Sequence, residues 1–185
     1  MKTLVVYYSH TENNAKLANY LQQQLHCDIV KIETVRKRNG FSIFLDLMFS
    51  RNPEIKPVPY YLRDYDHIIF VAPIWAGKVA MPMKTFLLQE KENIRQYSFL
   101  TLCGGGNPDQ KTKIGKEMLA LTGKAPDKLI ELWINDLLPA EEKNTIRDTT
   151  RYKVAPTELR QFNRQISELM STAGFAFTLS GEPVA

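Results

Sequence analysis

Residues 2–25 read KTLVVYYSHTENNAKLANYLQQQL, and this stretch decides the class of fold. Lys2 to Tyr8 is a nearly unbroken apolar run rich in β-branched and aromatic residues, as in a strand buried on both faces. From Asn13 to Leu25 the apolar residues Ala15, Leu17, Ala18, Leu21 and Leu25 recur at helical spacing. The polar residues between the two runs form a short loop that ends where the helix starts.

The alternation continues outward from that unit. Asp28 to Thr34 (DIVKIET) alternates and is placed toward a sheet edge. His67 to Ala72 (HIIFVA) is a third strand, and a helix runs from Met83 to Glu90 after Pro82. Tyr97 to Leu102 (YSFLTL) is a fourth strand, closed by Gly104, Gly105 and Gly106. Gln110 to Thr122 is helical, and Lys128 to Ile134 (KLIELWI) is a fifth strand. A last helix spans Thr157 to Met170, with Thr157 as cap and Leu159, Phe162, Ile166, Leu169 and Met170 along one stripe. Neither an internal repeat nor a linker interrupts the pattern, so residues 1–185 read as one domain with a tail at 174–185. Five strands alternating with helices imply parallel pairing, right-handed crossovers and helices on both sheet faces, a three-layer αβα architecture.

Residues 36–59 are the least regular part and read as an insertion or cover. Phe41 to Phe49 (FSIFLDLMF) is apolar almost all round, and prolines at 53, 57 and 59 mark a connecting loop after it. The favoured expectation is a short helix packed over the domain. The alternative is a cover, a dimer contact or a membrane-surface patch.

Composition narrows the function classes. Of the 185 residues 44% are hydrophobic and 24% charged, the balance of a globular chain, and no run approaches the roughly 18 apolar residues of a membrane span. The N-terminus has no small-residue cleavage site and reads as the first strand rather than a signal peptide. Cys27 and Cys103 have no metal-ligand spacing and read as reduced thiols of a cytoplasmic protein. Three scattered histidines do not make a zinc site. The net charge of +4 is spread along the chain, with no basic face interleaved with aromatics to suggest nucleic acid.

In an open parallel sheet the ligand sits outside the carboxyl ends of the strands, where the strand order reverses. Three loops therefore carry the chemistry. After the first strand, Ser9-His10-Thr11-Glu12-Asn13-Asn14 offers hydroxyls, amides and the unpaired donors of a helix start, where a phosphate fits; simple N-capping by Ser9 or Thr11 is the alternative. After the third, Pro73-Ile74-Trp75-Ala76-Gly77-Lys78 places an indole where it can stack on a flat ring, or close the top of the core. After the fourth, Cys103-Gly104-Gly105-Gly106-Asn107 lets backbone pass close to a flat or negative group, or is a mobile turn. It is not a dinucleotide fingerprint, and no G-x-x-x-x-G-K-[ST] motif occurs.

Taken together these residues resemble the flavodoxin-like FMN-binding family over nearly the whole chain. Pro73-Ile74-Trp75-Ala76-Gly77, followed after four residues by Pro82-Met83-Lys84-Thr85-Phe86, is similar to the family's P-[IV]-W-x-G and P-x-K-x-F pattern. Ser9, Thr11 and Asn13 match its S-x-T-G-N-T phosphate loop. The resemblance implies strand order 2-1-3-4-5, with FMN as cofactor. Ser9, Thr11, Asn13 and Asn14 would hold its phosphate. Residues 73 to 78 would run beside the ring with Trp75 against it, and Gly104 to Asn107 would face its pyrimidine edge. His10 either faces the phosphate or is a solvated loop residue. The chain departs from the family at Glu12, where Gly is usual, at Asn14, where Thr is usual, and in its positive net charge. Glu12 must turn outward from a phosphate, and it is strained if its φ is positive.

Three functions follow. The first is an FMN-dependent oxidoreductase passing electrons from a reduced donor such as NAD(P)H to a small acceptor such as a quinone. The second is a one-electron carrier docking to protein partners. The third is a binding module whose FMN affinity is weakened at Glu12. Catalytic side chains are not evident, and the oligomeric state stays open, a homodimer being the commonest soluble assembly.

Overall fold

The computed structural model of the chain describes residues 1–49, 51–105, 107–139, 149 and 151–172. Five parallel strands form its sheet: β1 (Thr3–Tyr7), β2 (Asp28–Lys31), β3 (His67–Val71), β6 (Tyr97–Cys103) and β7 (Leu129–Trp133). They lie in the order β2-β1-β3-β6-β7. With β4 (Ile74–Trp75) and β5 (Lys78–Val79) set apart as an antiparallel hairpin, this is the expected order 2-1-3-4-5 of the flavodoxin-like fold. The order reverses beside β1, because the chain leaves β2 at the edge and crosses back to β3.

The side chains explain the layers. Leu4, Val6, Ile68, Phe70 and Phe99 point to one face of the sheet, where Met83, Phe86 and Leu87 of α3 (Met81–Glu90) and Ile114 and Met118 of α4 (Gln110–Thr122) cover them. Val5, Ile69, Val71, Leu100 and Leu102 point to the other face. There Leu17, Ala18 and Leu21 of α1 (Asn13–Leu25) pack beside Leu159, Phe162, Ile166 and Leu169 from the C-terminal helical segment. The central strands are buried on both sides, so they read as apolar runs rather than alternating ones.

Several elements differ from the sequence reading. Helix α3 begins at Met81, with Pro82 inside its first turn, where a missing N–H costs nothing. The last helix is split: Glu158–Phe162 is a 3-10 turn leading into α5 (Asn163–Thr172). Thr157 does not cap it with its side chain; instead the Glu158 carboxylate accepts the Ala155 N–H at 2.6 Å. The tail 174–185 lies outside the described residues.

The irregular segment holds a helix, α2 (Gly40–Phe49), but it is not packed over the domain as expected. Phe41, Phe44, Met48 and Phe49 are 70%, 56%, 55% and 57% exposed, while the helix's one buried residue is Asp46, paired with Arg38. The buried ion pair turns the helix by its polar side, which leaves the aromatic side outward. Among the described residues no helix is long and apolar enough to cross a membrane.

Candidate functional site

Strands β1, β3 and β6 end at one rim, and the loops that leave them meet there. Together with the end of β7 and the side of α2 they line a cleft of about 790 Å³. Thr11, Asn13 and Asn14 come from the first loop, Pro73 to Gly77 from the second, and Leu102 to Gly105 with Asn107 from the third. Of the other predicted residues, Ser9, His10 and Lys78 stand beside the cleft rather than in its lining, and Gly106 lies outside the described residues.

The first loop ends in Glu12, whose φ of 69° is in the left-handed region, and whose side chain is exposed and caps nothing. The first helical hydrogen bond of α1 is Lys16 N–H to Glu12 C=O at 2.9 Å, so the amides of Asn13, Asn14 and Ala15 precede it. Neither Ser9 nor Thr11 acts as the helix cap. The Ser9 hydroxyl is instead buried without a hydrogen-bond partner.

Asn13 and Asn14 do not offer their side chains to the cleft. The Asn14 amide accepts from Leu102 N–H at 2.9 Å and donates to Leu102 C=O at 3.0 Å. Pairing of β3 with β6 ends at Val71–Leu100, and Asn14 completes the ladder one step further on. Asn13 does the same for the returning chain, donating to Tyr152 C=O and accepting from Val154 N–H. What these residues present to a ligand is main-chain N–H.

The second loop is the β4–β5 hairpin. Its two central residues, Ala76 (φ 48°) and Gly77 (φ 74°), both lie at positive φ, as a tight two-residue hairpin requires. Trp75 is half-buried and held edge-on by Tyr8 (5.8 Å between centroids) and His10 (6.1 Å). His10 thus braces the indole, and its ring is otherwise exposed. The hairpin is anchored from behind: the Glu117 carboxylate accepts the Val79 N–H at 2.8 Å and pairs with Lys84.

The glycines of the third loop have a local cause. A Cβ on Gly105, at φ 92°, would stand 2.8 Å from Cγ of Trp133. A Cβ on Gly104 would stand 3.1 Å from the Thr149 hydroxyl. Gly105 is therefore required by the β7 indole. Cys103 is buried; desolvation first, and the Glu131 charge second, push its thiol up to about 12, so it stays protonated at neutral pH. Gln110 donates to its sulfur and to Glu131.

Residues outside the three loops also line the cleft: Ile43, Phe44 and Leu47 on α2, and Ile134, Asn135 and Thr149 after β7. The apolar run 41–49 signalled the first group. The second follows the rule that pointed to the other loops, because β7 ends at the same rim.

This arrangement defines a flavodoxin-like fold with a cleft at the carboxyl ends of its strands. Solved structures share the fold. A flavoprotein of Lactobacillus acidophilus NCFM in complex with FMN superposes with a TM-score of 0.61 at 19% identity, over 70% of this chain and 92% of its own. The apo form of the flavoprotein from that organism gives 0.56 at 20% identity, over 70% and 91%. A Bacteroides eggerthii protein, provisionally classed as a flavoprotein, gives 0.60 at 16% identity, over 90% and 98%. At these identities the likeness is one of fold. No family model and no curated protein matches the sequence.

Proposed function

We propose that this chain binds one FMN in the cleft and passes electrons from a reduced donor to a small acceptor. The observation that carries the reading is the Ser9 hydroxyl, buried and unpartnered beside the uncapped N-terminus of α1. An orphaned buried hydroxyl costs free energy unless a ligand satisfies it, and an anion at a helix N-terminus supplies that partner. The residues fit the group. Ser9, Thr11 and the main-chain N–H groups of Asn13 and Asn14 would hold the phosphate; Trp75, Ala76 and Gly77 would lie to one side of the ring and Gly104, Gly105 and Asn107 to the other. The bound flavin supplies the redox chemistry, and the protein supplies position and electrostatics.

The chain's own residues orient and exclude water rather than move protons. The Cys103 thiol is held neutral, and the side-chain amides of Asn13 and Asn14 are committed to backbone. The cleft wall from α2 is apolar, which favours an apolar acceptor such as a quinone over a charged one. The test is calorimetric titration of the purified chain with FMN, followed by NAD(P)H-driven quinone reduction. Submicromolar binding that weakens about tenfold in Ser9→Ala, with rates well above free FMN, is the expected result. Millimolar binding indifferent to Ser9 overturns the proposal.

A further inference from the structure

The segment that carries α2 leaves the body through a narrow neck. Val35 N–H bonds to Glu54 C=O at 3.0 Å and Lys56 N–H to Glu33 C=O at 2.8 Å, on either side of an antiparallel bridge between Thr34 and Ile55. Beyond the neck, the ten residues of α2 expose Phe41, Phe44, Met48 and Phe49 side by side. Large apolar side chains gathered on one small helix are an unusual surface for water to cover.

The exposed charges next to the two ends of the helix are cationic. Arg36 and Lys37 are exposed just before the helix and Arg51 just after it, its guanidinium 5.1 Å from the Phe49 ring centroid. Two carboxylates of the arm are already paired: Asp46 is buried against Arg38, and Glu33 pairs with Lys56 at 2.8 Å, while Glu54 is exposed at the neck, away from the helix ends. The arm therefore presents aromatics flanked at both ends by cations.

From this we infer that the outward face of α2 docks on an anionic lipid surface. Aromatic and methionine side chains enter the headgroup boundary, and cations at the helix ends meet lipid phosphates. A second copy of the chain is the poorer occupant. A ten-residue helix is only about 15 Å long and about 10 Å across, so its outward face offers far less than the about 800 Å² per partner that a stable dimer contact takes. In an antiparallel pair, Arg36 and Lys37 of one copy would also meet Arg51 of the other. Phe44 belongs both to the exposed face and to the cleft lining, so docking there brings the cleft mouth to the bilayer. The inference rests on the surface alone and stands whether or not the cleft takes FMN.

The experiment is flotation of the full chain with vesicles of phosphatidylcholine, with and without about 30% phosphatidylglycerol, at about 0.1 M salt. The protein is expected to float with the anionic vesicles and not with the neutral ones. Each cation near the surface contributes about fivefold, so Arg36→Gln, Lys37→Gln and Arg51→Gln together should weaken binding roughly a hundredfold. Phe41→Ser with Met48→Ser, neither of which lines the cleft, should weaken it by at least about tenfold. Leu119→Ser, at an exposed apolar residue on α4, should leave it unchanged. Far-ultraviolet circular dichroism verifies that each variant folds. Absence of flotation with anionic vesicles overturns the inference, as does flotation indifferent to both sets of variants. A concentration-dependent dimer lost in Phe41→Ser and unaffected by lipid overturns it in favour of self-association.

Discussion

Glu12 and Ala76 hold left-handed backbone at φ 69° and 48°, a conformation that costs a residue bearing a Cβ about 1–2 kcal/mol. Part of that is recovered because glycine loses more freedom on folding. Glu12→Gly should therefore raise stability by about 0.5–1 kcal/mol in urea unfolding, and it should also tighten FMN binding by removing a carboxylate from the phosphate loop. An unchanged urea midpoint would show that the loop relaxes around Glu12. Gly105→Ala should act in the opposite sense. Its Cβ would collide with the Trp133 indole, and its φ is already unfavourable for alanine, so a loss of about 1–3 kcal/mol is expected in the same measurement. The strain at Glu12 could be anticipated from the sequence, because a glycine is usual there. The strain at Ala76 could not, since nothing in an alanine's composition announces a positive φ. Nor could the commitment of Asn13 and Asn14 to backbone, which depends on where the β3–β6 ladder stops.

The β4–β5 hairpin depends on an element far from it in the chain. Glu117, on α4, holds the Val79 N–H and pairs with Lys84 on α3, so two helices fix the turn that carries Trp75. Glu117→Ala leaves one buried donor and one partly buried cation without partners. A loss of about 1–3 kcal/mol is expected by thermal unfolding, together with weaker FMN binding, although Glu117 does not line the cleft. Unaltered FMN affinity in a destabilised Glu117→Ala protein would mean that the hairpin keeps its place without the anchor. The strands and the helices α1 and α4 were readable because their apolar spacing is set by burial on known faces. Helix α2 was readable as a helix, but its orientation was not. Periodicity cannot tell that the single carboxylate is the buried side when its partner, Arg38, sits eight residues upstream of it.

Across the whole molecule the two rims of the sheet divide the work. The carboxyl rim gathers the loops of the cleft, and parallel order made three of those loops predictable; the stretch after β7 was missed, although it leaves from that rim. The opposite rim holds a different cluster. His67, at the start of β3, contacts the Ser98 hydroxyl through Nε2 at 3.1 Å and approaches Asp127 through Nδ1 at 3.6 Å. Ser98 is 1% and His67 3% exposed, so the serine and histidine cannot reach a substrate and serve packing instead. Burial lowers the His67 pKa from its ordinary 6.5, with Asp127 opposing more weakly. The folded state therefore keeps His67 neutral at a pH where the unfolded chain has taken up a proton. Stability from this group is complete above about pH 6.5 and falls as pH drops below it toward the lowered folded value, with a slope of at most about 1.4 kcal/mol per pH unit. His67→Gln can still bond Ser98 but carries no titrating proton. Urea unfolding between about pH 7 and pH 5 should thus show a declining stability for the natural chain and a flatter one for His67→Gln. Parallel curves would place the acid sensitivity elsewhere, because only a group whose proton affinity differs between the two states can tilt the balance.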